Sequence, residues 1–282
     1  MACPLGDVDG DGARETGGLI VRGEERRARL AMVDGATGAV VWETAARERQ
    51  ELEPICLGDR HFGAIDQRAF ELVVIPVTGV EGEVRRSLSD EVDRYGVGRD
   101  CLTVRTDDRT IVRASLDDLS DARCDARPRI RPHIEEEKAP GFQTGIISTL
   151  RRPVVAEVGP ARYELRTRRP GTPFLEVSAR HGGRERWSRP LDIVPVNGEA
   201  IGTLALGASP AGPVAFGSPR GTRGRGALFM VGLDAESGAE RFRRELEGYD
   251  VQGVFDNGRF VVVATRRHLY AVAPDGEIAW RL

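Results

Sequence analysis

Short apolar runs alternate along the whole chain with turns rich in glycine and aspartate. The stretch Arg29 to Ala45 shows the pattern: one apolar run ends at Val33, a glycine-containing turn follows, and a second run reaches Trp42. Runs of this length, bounded by turn residues, are typical of β-strands joined by hairpins. Helical periodicity is absent from the sequence. The pattern therefore predicts an all-β protein.

Each tryptophan marks the same place in a repeated pattern. Gly38, Gly183 and Gly276 each stand four residues before a tryptophan, and Gly238 stands four residues before Phe242. A glycine can adopt the left-handed conformation that a tight turn requires. An aromatic side chain partway along the next strand can cover the edge of its blade. We call the position four residues after the turn glycine the slot.

Degenerate copies of this pattern fill the long interval between the first two tryptophans. Arg86 and Cys124 take the slot there, and the interval accommodates three units of ordinary length. The sequence therefore predicts a β-propeller of four-stranded blades, six of them visible. A seventh would fit if residues 126–160 contain another unit.

The repeats resemble a known family. The stretches VDGATGAVVW, GLDAESGAERF and LYAVAPDGEIAW are similar to the repeat of pyrroloquinoline-quinone-type (quinoprotein-type) β-propellers, Ala-x-Asp-x-x-Thr-Gly-x-x-x-Trp. This resemblance implies a fold far more than a function. Members that use the quinone carry an adjacent cysteine pair and calcium-ligating glutamate and asparagine residues, which have no counterpart here. We expect no pyrroloquinoline quinone.

The segment Asp7 to Glu15, here called the Asp loop, is the best candidate for a binding site. Its carboxylates alternate around glycines, so they would converge on one point, and hard oxygen ligands suit Ca²⁺. An EF-hand would need flanking helices and a glutamate where this chain has Gly18. The pattern is similar instead to the integrin-type (FG-GAP-like) calcium loop, which implies a structural ion. By that resemblance the ligands are Asp7, Asp9, Asp11, the carbonyl of Ala13 and Glu15. An Asp/Gly turn without metal is the alternative.

A length of 282 residues would allow two ordinary domains, but the repeats favour one domain over residues 1–282. Prolines, arginines and an acidic run mark residues 125–148 as a loop insertion. The formal net charge of −3, with no basic half, gives no reason to expect nucleic-acid binding. Lys138 is the single lysine among 41 basic residues, a habit of GC-rich bacterial genomes.

The compartment is inferred from the N-terminus and the cysteines. No apolar run of 18 residues predicts a membrane span, and the first residues lack the pattern of a signal peptide. As written, the sequence predicts a cytoplasmic protein, with export the alternative if upstream residues are missing. The four cysteines form no C-x-x-C pair. Reduced thiols are the favoured interpretation, and one or two disulfides in an exported form are the alternative.

Catalytic motifs are missing. There is no H-E-x-x-H, and Ser209 lies before a proline that removes an N–H group needed in a nucleophile elbow. We therefore expect a monomeric, non-catalytic scaffold whose loops, including 125–148 and 218–226, bind another protein. The alternative is a small-molecule binder or enzyme that uses the mouth of the central channel.

Overall fold

The computed structural model describes residues 2–21, 27–48, 52–130, 153–167, 174–196, 204–219, 227–248, 251–265 and 267–282. Two compact units make up the chain, unit one over Met1–His133 and unit two over Ile134–Leu282. Within the described residues there is no α-helix, and a single turn of 3₁₀ helix covers Val80–Gly82. No described helix has the length and apolar character needed to cross a membrane.

The described residues of unit one form three antiparallel sheets. The first has β1 (Ala2–Pro4), β2 (Thr16–Ile20), β3 (Arg27–Val33), β4 (Val40–Glu43) and β5 (Arg47–Glu48). The second has β6 (Leu52–Cys56), β7 (His61–Asp66), β8 (Glu71–Pro76) and β9 (Val84–Ser87). The third has β10 (Val92–Val97), β11 (Cys101–Thr106), β12 (Ile111–Ser115) and β13 (Arg129–Ile130).

In unit two the part of the chain that the structure describes forms three further antiparallel sheets. The fourth has β14 (Val154–Val158), β15 (Ala161–Thr167), β16 (Leu175–His181) and β17 (Arg184–Leu191). The fifth has β18 (Ala205–Ser209), β19 (Gly212–Gly217), β20 (Leu228–Leu233) and β21 (Glu240–Leu246). The sixth has β22 (Val251–Asp256), β23 (Val261–Thr265), β24 (Leu269–Val272) and β25 (Ile278–Arg281).

Strand order follows chain order in five of the six sheets, as in propeller blades. The first sheet adds β5 beside β3, and in the third sheet β13 pairs with β10, giving the order β12-β11-β10-β13. The predicted fold class, all-β with propeller-type sheets, is confirmed: five of the six described sheets have four strands, and β5 gives the first a fifth. Three statements stay predictions. They are one domain over 1–282, membership of the quinoprotein-type superfamily, and a seventh unit within 126–160, of which residues 131–152 lie outside the described chain.

Apolar packing between neighbouring sheets forms the core. Strand β18 is buried along its whole length, with Leu206 packing toward the fourth sheet and Ala205 toward the sixth. Strand β23, which the continuous apolar run RFVVVAT predicts to be covered on both faces, is buried at all five residues. Strands with sheets on both sides are apolar on both faces because neither face meets water.

A β-bulge recurs at the same place in four sheets. In the fifth sheet Leu233 pairs with Glu240 and Gly232 with Phe242, so Arg241 lies outside the regular ladder. Corresponding shifts place Val41, Arg186 and Ala279 outside the ladders of the first, fourth and sixth sheets. The extra residue always directly precedes the slot. A bulge of this kind re-aims side chains locally.

The slot side chain packs against the turn of the following sheet rather than the edge of its own. Trp187 donates from Nε1 to the carbonyl of Ala235 at 3.0 Å, and a Cβ on Gly238 would lie 2.6 Å from its ring. Likewise a Cβ on Gly276 would lie 2.4 Å from the ring of Phe242. Because these glycines also have φ of +67° and +87°, no other residue fits without strain.

In unit one Arg86 likewise joins its sheet to the next. From the slot of the second sheet it donates to the carbonyl of Leu119 at 2.9 Å and to Asp121 Oδ1 at 2.7 Å, in the turn of the third sheet. In the first sheet Trp42 donates to the carbonyl of Val77 at 3.4 Å. A guanidinium thus replaces an indole as the donor that joins one sheet to the next.

The favoured interpretation of the cysteines, reduced thiols, is wrong. Cys3 is bonded to Cys56 and Cys101 to Cys124, and no cysteine is free. The first bond joins β1 to β6 and therefore links two sheets, whereas the second joins β11 to the segment between β12 and β13. Cysteines far apart in sequence carry no local signal of pairing, since strand packing alone brings them together.

Candidate functional site

The Asp loop connects β1 to β2 in the first sheet. Its fold depends on Asp7, whose Oδ1 accepts from the amide of Gly10 at 2.7 Å and whose Oδ2 accepts from that of Gly12 at 3.0 Å. Both glycines have positive φ, +78° and +88°, which lets the chain reverse twice within a few residues. The alternation of aspartate and glycine therefore encodes the loop directly.

Three of the five predicted ligands converge. Carboxylate oxygens of Asp7, Asp9 and Glu15 lie within 4.8 Å of one another. The Glu15 side chain is buried and accepts from the amide of Val8 at 3.0 Å, whereas both aspartates are exposed. Burial, together with the charges of Asp9 and Asp7, raises the pKa of Glu15. A bound cation would relieve this repulsion, so the donor set fits Ca²⁺.

The other two predicted ligands, Asp11 and Ala13, are not among the converging carboxylates. Asp11 is not part of the cluster, and its Oδ1 accepts from the amide of Ala13 at 2.8 Å. Ala13 itself is fully buried. Ligation by the complete set of five stays a prediction.

Asp34 is a neighbour of the cluster that the sequence analysis did not include. It lies in the β3–β4 turn, where its Oδ1 accepts from the amides of Ala36 and Thr37 and from the Thr37 hydroxyl. Burial would raise its pKa, but these donors and the nearby Asp9 carboxyl outweigh burial and lower it. The repeat pattern does mark this residue, because Asp34 is the aspartate four residues before the turn glycine Gly38.

Main-chain contacts fix the Asp loop at both ends. The amide of Leu5 donates to the carbonyl of Glu15 at 2.8 Å. The amide of Gly6 donates to the main-chain carbonyl of Asp59, in the second sheet, at 2.8 Å. Arg14 forms an ion pair with the Asp59 carboxylate as well. A cation held here would stabilise the contact between the first two sheets, which is a structural role rather than a catalytic one.

The described histidines do not assemble a ligand set. His61 Nε2 lies 3.4 Å from Asp117, and burial lowers its pKa, with the guanidinium of Arg60 acting in the same direction. His268 Nε2 lies 3.8 Å from Glu247. Ser209 accepts from the amide of Ala211 at 3.3 Å as part of a turn. His133 lies outside the described residues.

The two loops predicted to bind a partner are described only in part. Of residues 125–148 the structure describes 125–130, and of residues 218–226 only Ser218 and Pro219. Ser218 is held by main-chain bonds to Val194 in both directions. The role of these loops stays a prediction.

Sequence comparisons place the chain in no family. No family model matches it, and no curated protein matches it.

Solved structures give only distant likenesses. BamB from Moraxella catarrhalis is 11% identical, with 96% of this chain and 74% of that chain covered and a TM-score of 0.31. A putative 6-phosphogluconolactonase from Bacteroides fragilis is 12% identical, with 98% and 81% covered and a TM-score of 0.33. Hydrazine synthase from Kuenenia stuttgartiensis is 12% identical, with 97% and 76% covered and a TM-score of 0.31. Likenesses of this size carry no argument about what the chain does.

Proposed function

We propose that this protein is a non-catalytic β-propeller scaffold that binds another protein along the exposed edges of its sheets. The observation that carries the proposal is the placing of large exposed apolar side chains on outermost strands. Val41 on β4 is 53% exposed, Ile111 on β12 is 47% exposed and Ile278 on β25 is 43% exposed. An apolar side chain beside open main-chain groups suits an extended peptide that adds a strand.

The other outermost strands offer a contrast. Strands β17 and β21 present arginine and glutamate side chains to solvent, as in RERWSRPL and ERFRREL. Charged side chains on an edge discourage strand addition. Edges of the first and sixth sheets are therefore the ones that favour a partner, because the outer main chain of β12 in the third sheet is already bonded to residues 120–122.

A pull-down with matched variants tests this proposal. The protein, immobilised intact, should capture a stoichiometric partner from lysate of its source organism, and Val41→Lys with Ile278→Lys should abolish capture. Glu245→Lys is the control, since Glu245 is exposed on the charged strand β21. If the lysine variants still capture the partner, or if no partner is captured at all, the result would favour the alternative, a small-molecule site at the channel mouth.

Calcium binding at the Asp loop is a second part of the proposal. The convergence of three carboxylates beside a buried glutamate supports it. Chelator should lower the melting temperature, and Asp9→Ala should remove that sensitivity. Calorimetric titration of the chelated protein with Ca²⁺ gives an independent reading. A melt that chelator leaves unchanged would contradict the calcium site.

The two disulfides favour the exported form over the cytoplasmic one. Structural disulfides persist in oxidising compartments and are rare in the cytosol of ordinary organisms. Thiol labelling of protein taken from fractions of its source should find all four cysteines blocked, in the exported fraction. Free thiols in the cytosolic fraction would restore the cytoplasmic assignment. The monomeric state stays a prediction that light scattering can check.

A further inference from the structure

A groove of about 430 Å³ opens in unit two between the fourth and fifth sheets. Its rim consists of the β14–β15 turn at Gly159 and Pro160, the β18–β19 turn at Ser209, and the β20–β21 turn at Glu236. The volume falls within the range of small-molecule sites, roughly 300–1,000 Å³. Trp187 holds one wall in place through its hydrogen bond to the Ala235 carbonyl.

Two polar groups in the lining have no partner among the described residues. Tyr163 is only 2% exposed and packs beside Trp187, with ring centroids 6.1 Å apart, yet its hydroxyl makes no hydrogen bond to any described residue. The Nε of Arg180 is buried and, within the described chain, has no acceptor. Of the two, only the Arg180 Nε is a fully buried donor, and leaving such a donor unsatisfied costs about 1–3 kcal/mol. Such groups are commonly explained by a ligand or water that completes them.

Arg186 adds a second guanidinium, placed by the bulge. Its counterpart in the fifth sheet, Arg241, donates to the Ala211 carbonyl in the turn of its own sheet at 2.9 Å. Arg186 stands at the same bulge position and lines the groove, but among the described residues it has neither an ion pair nor a hydrogen bond. The fourth sheet therefore differs from the fifth in leaving this guanidinium available.

We propose that this groove binds a small organic carboxylate with a compact apolar body. Arg180 and Arg186 would hold the carboxylate, because a guanidinium matches its planar geometry with paired donors. The Tyr163 hydroxyl would donate the third bond. Apolar lining from Ala161, Ala179 and Pro210 would contact the body of the ligand.

The charges around the groove favour a singly charged anion. Glu236 also lines the groove, and the charge of Asp234 reaches Tyr163. These carboxylates would repel a doubly charged phosphate more strongly than a carboxylate. The Glu236 amide donates to Asp234 Oδ1 at 3.2 Å, but its carboxylate has no partner within the described residues and can therefore act against phosphate.

Fluorescence and calorimetric titrations with small probes test the proposal. Benzoate, cyclohexanecarboxylate and pentanoate are the carboxylates, benzamide is the neutral counterpart of benzoate, and inorganic phosphate is the competing anion. We expect at least one carboxylate to bind with a Kd of about 1 mM or tighter, the range for a ligand of this size. Benzamide and phosphate should bind at least tenfold more weakly.

Variants locate the site. Arg186→Gln and Tyr163→Phe should each weaken carboxylate binding about tenfold or more, and Arg186, being exposed, can change without loss of the fold. Arg184→Gln is the control, since Arg184 is exposed on the same strand but outside the groove. The proposal is overturned if no carboxylate saturates, if benzamide or phosphate binds as tightly, or if Arg186→Gln and Arg184→Gln behave alike.

Discussion

The two units join their sheets by different chemistry. In unit one a disulfide links the first and second sheets, and the Arg86 guanidinium reaches from the second sheet to the third. In unit two Trp187 and Phe242 lie on the turn glycines of the next sheet. Covalent and polar links therefore stand beside the half-buried Trp42 in unit one, whereas buried aromatic rings make the slot contacts described in unit two.

This difference shows that one position in a repeat can contact the neighbouring sheet through different side-chain chemistry. The slot must cover or bond the turn of the neighbouring sheet. An aromatic ring does so by burying area, whereas arginine does so by donating to a carbonyl. Apolar contact depends on close fit and is expected to contribute more free energy than one partly exposed hydrogen bond.

The largest effect should follow from Trp187→Ala. The ring is buried and closely fitted against Gly238, so its removal should lower the free energy of unfolding by about 3–5 kcal/mol. Trp42→Ala should lower it by less, because Trp42 is only half-buried and its hydrogen bond is long at 3.4 Å. Chemical denaturation of each variant measures both losses. Equal losses would erase the proposed contrast between the units.

Removal of the Cys3–Cys56 bond should have the next largest effect. The bond spans 53 residues, and loop closure of that length corresponds to about 4 kcal/mol in the chain-entropy model. A Cys3→Ser, Cys56→Ser double variant should lose this amount under oxidising conditions. Cys101→Ser with Cys124→Ser should lose somewhat less, since that bond spans 23 residues. A greater loss from the shorter loop would contradict the entropic account.

Arg86→Leu should cost about 1 kcal/mol, the ordinary value for a partly exposed hydrogen bond. The substitution removes the donor to the Leu119 carbonyl while keeping apolar contact. Arg113→Leu on β12 is the control, because Arg113 is exposed and its side chain has no partner in the described residues. If both variants keep the stability of the parent protein, Arg86 does not link the sheets.

The smallest effect concerns pH and Glu15. Because burial raises the pKa of Glu15, the folded chain binds more protons than the unfolded chain just above the ordinary value of 4.5. Stability measured in chelator should therefore fall as pH rises from 4.5 through the raised pKa. Glu15→Gln should flatten this part of the curve, and so should saturating Ca²⁺ in the parent protein. A Glu15→Gln curve that keeps the slope would assign it to another group.

Sequence patterns predicted the architecture well where packing is aromatic. The Gly-x-x-x-Trp spacing located the hairpins of the first, fourth and sixth sheets, because glycine and a large ring are required at fixed positions there. Arg86 was placed in the slot by spacing alone. What it bonds depends on the neighbouring turn, which spacing does not describe.

Groups brought together by tertiary packing were harder to foresee. The Asp loop is local, so Asp7, Asp9 and Glu15 were predicted to converge and do so. The partners of Cys3 and Cys101 depend on strand packing, and the interpretation as reduced thiols failed for that reason. The rim of the groove is formed by three turns that are distant in sequence, so no local pattern predicts it.

The bulge before the slot has a consequence for how such repeats diversify. Its extra residue takes no part in the ladder, and within this one chain the position holds valine, alanine and two arginines. A mutation there leaves the pairing of the hairpin and the neighbouring slot unchanged. The position is therefore one at which a duplicated blade can acquire a new contact without risking its fold, and selection can act on it almost independently of stability.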